Sequence, residues 1–269
     1  MLVNGASCNL ISIRDRGLLY GDGVFRTLLV AGGQPQHWPL HYKKLQQDCA
    51  ALGIACPDFA CLSAELGRLL ADHSDAVFKL IVTRGLAARG YAPDPAAAPT
   101  HIWDVAPLPG YPESWATQGV TLHLCELRLG SQPRLAGIKH LNRLENVLAA
   151  AEFAGDGVAE GLLLDACGLV IEGTRSNVFL ISEGRLITPD LSRCGVAGVQ
   201  RDRVIACAGQ LGMPVELRDV ELCELRASDE LFLTSSVFGL WSVAQFEQQR
   251  WTDFGYAARI RAALAREVV

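Results

Sequence analysis

The stretch Leu135-Ala136-Gly137-Ile138-Lys139-His140-Leu141-Asn142-Arg143 decides how the rest of the chain is read. It follows a breaker-rich run, Gly130-Ser131-Gln132-Pro133, and leads into an apolar pattern with helical spacing. The chain carries 24 lysines and arginines, yet the lysines are limited to Lys43, Lys44, Lys79 and Lys139. Where a permanent cation suffices, this sequence uses arginine. An amine set between small and apolar neighbours loses its proton readily and forms Schiff bases. A lysine at a helix start that reaches out to water satisfies the same residues, so Lys139 alone leaves both readings open.

Three features further along the chain bear on that choice. Glu172-Gly173-Thr174-Arg175-Ser176-Asn177 places a carboxylate at a strand end before a polar turn, where a solvated charge is the ordinary reading. Gly195-Val196-Ala197-Gly198-Val199-Gln200 opens a helix with glycines, and the backbone N–H groups there suit a phosphate. Thr234-Ser235-Ser236 puts small hydroxyls after an apolar strand, as a phosphate contact or a plain turn would. A Schiff-base lysine, a carboxylate and a phosphate cradle are together the parts needed to hold pyridoxal phosphate.

The remaining periodicities describe a mixed α/β chain. Leu2-Val3 runs into the turn Asn4-Gly5, and Gly23 to Val30 is a β-prone run with a return strand over Gln34 to Trp38. Between them, Arg14 to Gly23 is too charged and glycine-rich for a core strand, which fits a shaped loop or a surface turn. Helices are predicted over His41–Leu52 and Asp58–Ala71, and strands over Ala76–Thr83 and Thr100–Val105. Pro107, Pro109, Gly110 and Pro112 form the densest breaker cluster. They place a boundary between a domain over 1–108, a linker over 109–116 and a second domain over 117–269 that carries Lys139. The second domain reads as a strand over Gly119–Leu127 and a helix with Leu144, Val147, Leu148 and Ala151 on its apolar face. A β-meander over 161–181, a helix after Gln200, strands near 214–217, 230–234 and from 240, and a terminal helix from about 252 complete it.

Composition bounds the function classes. The hydrophobic fraction of 50% and charged fraction of 20% are those of a globular protein with substantial cores. The net charge of -5 disfavours a nucleic-acid or anionic-membrane surface, while allowing a local cationic site for a small anion. Nine cysteines, an odd number without a C-x-x-C pair, read as reduced core thiols, and the six histidines lack zinc spacing with them. No leader and no bilayer-length apolar run is apparent, so a cytoplasmic location is expected.

Taken in register, these segments resemble the fold-type IV pyridoxal-phosphate enzymes, a family of branched-chain and D-amino-acid aminotransferases and 4-amino-4-deoxychorismate lyases. The resemblance is carried by Arg16 to Phe25 with its Tyr20-Gly21-Asp22-Gly23-Val24-Phe25 core, by Lys139 and its flanks, by Glu172 to Phe179, by Gly195 to Gln200 and by Thr234 to Ser236. Gly137 to Glu145 and Arg89-Gly90-Tyr91 are most similar to the lyase branch. Lys44 stands where the family usually has a phosphate-binding arginine, and Gln200 where it often has a threonine. Arg26-Thr27 replaces a glutamate common among the aminotransferases, which favours a substrate unlike a plain amino acid.

The resemblance implies a two-domain α/β (α+β) fold, a homodimer, and pyridoxal phosphate held in a cleft between the domains. It implies the Schiff base on Lys139, the pyridine nitrogen on Glu172, and the phosphate on Lys44, Val199, Gln200, Ser235 and Ser236. The implied reaction converts 4-amino-4-deoxychorismate into 4-aminobenzoate and pyruvate, with Lys139 moving the proton and Thr27 assisting. A dicarboxylate substrate calls for cations, for which Arg89 and Arg143 stand first and Arg26 and Arg175 behind them, with Tyr91 and Asn142 as further substrate contacts. For each arginine a structural ion pair is an equal reading. A transaminase using the same lysine, a non-catalytic pyridoxal-phosphate-binding protein, and association with the synthase that makes the substrate all stay open.

Overall fold

The computed structural model describes residues 1–86, 90–155 and 157–267. The chain divides into two compact units, Met1–Pro109 together with Ile138–Asn142, and Gly110–Gly137 together with Arg143 onward.

In the first unit, β1 (Leu2–Val3), α1 (Arg16–Tyr20), β2 (Gly23–Ala31), β3 (Gln34–Pro35), α2 (Trp38–Leu52), α3 (Phe59–Leu70), β4 (Ala76–Thr83) and β5 (Thr100–Ala106) follow in order. The strands form one antiparallel sheet, β1-β5-β4-β2-β3. Strand alternation sorts its side chains: Val24, Arg26, Leu28 and Val30 of β2 are buried, while Phe25, Thr27 and Leu29 on the opposite face are half-buried. Leu28, Phe78, Leu80 and Trp103 join Leu45 of α2 and Leu62 of α3 in a single core. The expected return strand over Gln34–Trp38 is cut to two residues. Pro39 in the first helical turn lets α2 begin at Trp38, and Gly53 closes it in the left-handed region at φ 63°.

The second unit contains α4 (Glu113–Thr117), β6 (Val120–Leu129), α5 (Leu144–Ala151), β7 (Glu160–Asp165), β8 (Val170–Gly173), β9 (Asn177–Ser182), β10 (Arg185–Pro189) and α6 (Val199–Gln210). After these come β11 (Val215–Arg218), α7 (Leu222–Ala227), β12 (Glu230–Ser235), β13 (Gly239–Phe246), β14 (Gln249–Arg250) and α8 (Gly255–Leu264). Its sheet runs β11-β10-β9-β12-β13-β6-β7-β8, with β14 paired to β13. Strands β7 and β8 are buried at every position, and β9 at all but its last, so their near-continuous apolar sequence reflects cover on both faces.

Three expectations are corrected. The stretch 109–116 is not a bare linker: Tyr111 and Trp115 pack on Trp241 at ring separations of 4.7 and 5.1 Å, and α4 begins at Glu113. Lys139 belongs to the first unit. Phe25 N–H donates to the Lys139 carbonyl at 2.9 Å, Leu141 N–H to the Gly23 carbonyl at 3.0 Å, and Ile138 joins the first unit's core. The apolar face expected to bury α5 points outward instead. Leu144, Val147 and Leu148 are 76%, 60% and 60% exposed, and Ala149 makes the buried contact.

Among the described residues all nine cysteines are free thiols, four of them buried. Burial pushes Cys125 up to about 12 and Cys194 to about 11, which makes them inert core residues. Cys61, Cys167 and Cys223 are exposed, against the expectation that the thiols lie mostly in cores. Among the described residues no helix is long and apolar enough to cross a membrane.

Candidate active site

Lys139 is fastened by its backbone, which leaves its side chain to be aimed. Its carbonyl accepts from Phe25 of β2, and its N–H donates to Asp48 Oδ2 on α2 at 3.1 Å. The amine lies 4.6 Å from the centre of the Phe25 ring, and the amine of Lys79 lies 4.9 Å from the same centre. Thr27 is two residues along β2 from Phe25, so it shares that face, and it pairs directly with Lys79 of β4. Lys139, Phe25, Thr27 and Lys79 therefore form one cluster on the half-buried face of the first sheet.

The opposite face carries a charge cluster. Arg26 is 2% exposed, forms an ion pair with Asp48, and donates to the Lys44 carbonyl at 3.2 Å. Burial pushes the Asp48 carboxyl above its ordinary value, against the opposing pull of Arg26, the Lys139 N–H, Lys44 and the Lys139 amine. The structure thus assigns Arg26 to the packing of α2 on the sheet, away from the Thr27 face. Its position on the same side of the pleat as Val24 and Leu28 dictates this.

The Tyr20-Gly21-Asp22-Gly23 motif holds a bend. Gly21 caps α1 in the left-handed region at φ 64°, and a Cβ there would lie 2.4 Å from Asn142 Oδ1. Asn142 donates to the Gly21 carbonyl at 3.3 Å, so the structure gives this expected substrate contact a backbone-anchoring role. Asp22 accepts from Arg16 Nε at 2.7 Å and Arg84 Nε at 2.8 Å. Arg16 also donates to the carbonyls of Gly90 and Tyr91 at 3.0 and 2.7 Å. Tyr91 is 84% exposed, with its ring 5.2 Å from that of Tyr20. Arg89 lies outside the described residues.

In the second unit, Glu172 lies at the end of β8, 3% exposed, and its Oε2 accepts the Val196 N–H at 2.8 Å. Gly195 makes that approach possible: its φ is 85°, and a Cβ would meet Ile171 and Leu191 at 2.8 and 2.9 Å and Glu172 Oε2 at 3.4 Å. Asn177 fixes the rest of the glycine-rich loop, donating to the Val196 carbonyl at 2.7 Å and accepting from Gly198 N–H at 3.2 Å. Gly198 is the N-cap of α6, so Val199 and Gln200 occupy its first turn, where amides have no carbonyl partner within the helix. The Gln200 carboxamide accepts from Arg203 Nη1 at 2.7 Å, so its side chain serves the helix rather than replacing the missing hydroxyl. Asn177 pairs with Thr234 across β9 and β12, which brings Ser235 and Ser236 to the same end of the sheet as the loop. Among the described residues the buried Thr234 Oγ1 has no hydrogen-bond partner.

The turn after Glu172 is organised by Glu160, fully buried on β7. It accepts from Thr174 N–H and Gly161 N–H at 3.1 Å, from Ser176 Oγ at 3.0 Å and from the Thr174 hydroxyl. Burial pushes the Glu160 carboxyl up, against the charge of Arg175 and the hydroxyl donors. Arg175 lies 3.6 Å from Glu160 and donates to the Ala159 carbonyl at 2.6 Å. Arg143 donates to Asn146 Oδ1 at 3.3 Å, and Asn146 to the Thr174 carbonyl at 2.9 Å. Both arginines thus support the turn that ends β8.

Sequence reading missed Asp48, Lys79, Asn177 and Glu160. Lys79 carried a signal as one of four lysines, set on an alternating strand. Asp48 follows Lys44 by one helical turn, and Asn177 closes the Glu172 motif, but a buried role for either needs the fold.

The description Amino-transferase class IV matches residues 23–246. The chain belongs to the class IV aminotransferase family. Aminodeoxychorismate lyase of Vibrio harveyi is 35% identical over 90% of this chain and 89% of its own. The solved 4-amino-4-deoxychorismate lyase of Pseudomonas aeruginosa is 45% identical, covers 99% of this chain and 98% of that one, and superimposes with a TM-score of 0.95. A putative branched-chain-amino-acid aminotransferase of Methanocaldococcus jannaschii is 32% identical over 84% of this chain and 79% of its own.

The class IV family is pyridoxal-phosphate-dependent. The residues of this chain fit that group on structural grounds. A backbone-anchored lysine supplies the amine, and a buried, backbone-held carboxylate suits a protonated ring nitrogen. A glycine-capped helix start, whose first amides have no carbonyl partner within the helix, lies at the same sheet end as the Ser235 and Ser236 hydroxyls and suits a phosphate.

Proposed function

We propose that this chain is a pyridoxal-phosphate-dependent lyase that converts 4-amino-4-deoxychorismate into 4-aminobenzoate and pyruvate, a step of folate synthesis. The observation that carries this reading is the 45% identity and near-complete structural overlap with the Pseudomonas aeruginosa lyase. Lys139, Glu172, Lys44, Val199, Gln200, Ser235 and Ser236 are the residues proposed to hold the cofactor. The cofactor supplies an aldehyde that links to an amine and a ring that takes up an electron pair.

Lys139 would hold the cofactor's aldehyde through its side-chain amine. The same amine would take the proton from the amine-bearing ring carbon and return one to the enolpyruvate oxygen as that group departs. Thr27, on the Lys139 face of β2, orients the substrate or a water for this transfer. Glu172, held by the Val196 N–H, would pair with the ring nitrogen and favour its protonated form. Arg89 and Tyr91 are proposed to meet the substrate carboxylates, and the Arg16 contacts to the Gly90 and Tyr91 carbonyls support the loop. Arg143 and Arg175 serve this reading as supports of the β8 turn.

A cytoplasmic homodimer, with association to the enzyme that makes the substrate, completes the proposal. The outward Leu144, Val147 and Leu148 stripe supports the dimer, since such a face on one helix is closed by a second copy.

The deciding experiment is pyruvate release from 4-amino-4-deoxychorismate by cofactor-loaded protein with no 2-oxo acid present. Equal yields of pyruvate and 4-aminobenzoate establish the lyase, because a transaminase cannot turn over without an amine acceptor. Turnover only on adding 2-oxoglutarate and an amino acid would replace it with an aminotransferase. Cofactor binding without either activity would leave a binding protein.

A further inference from the structure

Glu65 of α3 is a carboxylate only 5% exposed, and among the described residues the one potential cation within ion-pair distance is His101. Oε1 lies 2.9 Å from His101 Nε2 and 3.8 Å from Cys61 Sγ, while Oε2 accepts the Trp103 Nε1–H at 3.1 Å. Cys61 and Glu65 stand one helical turn apart on α3, so their side chains share a face. His101 is fixed on β5: its N–H donates to Asn4 Oδ1 and its carbonyl accepts the Asn4 N–H, both at 2.9 Å. Arg68, the guanidinium on the same helix, directs its Nη2 to the Gly5 carbonyl at 2.7 Å rather than to Glu65.

A buried carboxylate without a permanent cation in its contact shell is costly unless something neutralises it. Here a thiol and an imidazole converge on the same oxygen. The three ligand atoms lie within 4.8 Å of one another. Tetrahedral zinc bonded to sulfur, nitrogen and oxygen needs ligand atoms roughly 3.2–3.7 Å apart, so the cluster is within a small side-chain adjustment of that geometry. The donor set, one thiolate, one imidazole and one carboxylate, is that of a borderline-soft divalent ion. Trp103 would hold the second carboxylate oxygen, as outer partners of zinc-bound carboxylates do. The exposed Cys61 gives the ion a way in.

We propose that Cys61, Glu65 and His101 form a zinc site that ties α3 to β5, apart from the pyridoxal-phosphate residues. On binding, the Cys61 thiol gives its proton to solvent as the Zn–S bond forms, and a water completes the fourth position. The spacing of these residues, four and then thirty-six apart, matches no local zinc motif, which is why the sequence did not disclose it.

The test is zinc content of the cofactor-loaded protein after dialysis against chelator-buffered Zn²⁺, with zinc X-ray absorption to identify the bonded atoms. One zinc per chain with one sulfur neighbour is expected. Cys61→Ser should remove the sulfur neighbour, and Trp103→Phe should weaken binding about 10–100-fold. Cys167→Ser, at another exposed thiol, should change neither. Melting of each variant without zinc separates lost binding from lost folding. Absence of bound zinc in the wild type would overturn the site, as would wild-type zinc content and sulfur ligation in Cys61→Ser.

Discussion

The carboxylate of Asp48 accepts the backbone N–H of Lys139 across 91 positions of sequence, at 3.1 Å, while the same oxygen holds the guanidinium of Arg26. One buried acid thereby fastens the backbone of the lysine proposed to react and compensates a buried cation. Asp48→Ala would strip both at once. We expect a loss of about 3–5 kcal/mol in urea unfolding, and a kcat for pyruvate release about 100-fold lower through misplacement of Lys139. Asp48→Asn keeps an oxygen for the Lys139 N–H and should lose less of both. Wild-type unfolding in Asp48→Ala would show that Arg26 does not depend on this pair.

Glu172→Gln separates the two duties of that side chain. The amide oxygen can still accept from Val196 N–H, so the glycine-rich loop should keep its conformation. The charge proposed to favour a protonated ring nitrogen is gone. Cofactor should remain bound, as read from its absorbance, while kcat falls about 10²–10³-fold, the scale for losing one preorganised electrostatic partner. Undiminished turnover would remove Glu172 from its assigned role.

Asp22 makes stability depend on acid. Burial raises its carboxyl, but the hydrogen bonds and charges of Arg84 and Arg16 outweigh this and hold it below the ordinary value of 3.8. The unfolded state then binds the proton more readily than the folded state. Stability is therefore full above about 3.8 and is lost as pH falls through the lower folded value. Asp22→Asn should be less stable at neutral pH and should show a shallower loss as pH falls below 3.8, as measured by urea midpoints across an acid series. Parallel wild-type and variant curves over that range would refute the linkage.

The fold was legible where one period dominates. Gly23 to Val30 and Ala76–Thr83 alternate, and α2 and α3 place leucines at helical spacing, so these elements fall close to their predicted bounds. Elements of five or six residues, such as α1, α4 and α7, were not legible, because a helix that short carries too few periods to register. The β10 strand escaped because only Leu186 and Ile187 are strongly apolar and Pro189 ends it. Lys139 and Glu172 could be singled out by type and setting. Asp48, Glu160 and Asn177 act through backbone groups distant in sequence, and a single sequence carries no signal for such contacts. Arg26 shows the reverse limit: its charge suggested a substrate contact, but strand parity turns it toward α2.

The α5 stripe gives the last test, and its logic is that of an unexpectedly exposed amphipathic helix. Leu144, Val147 and Leu148 have the spacing of a buried face, yet they are mostly exposed among the described residues. Burying one such side chain contributes about 1.5–3 kcal/mol, so three together account for much of a dimer's association energy. Replacing Val147 and Leu148 by aspartate should convert a dimer into a monomer in sedimentation velocity, with a smaller change in the monomer's own unfolding because both side chains are mostly exposed. If the wild-type chain sediments as a monomer, or the double variant as an unchanged dimer, the stripe is not the subunit contact.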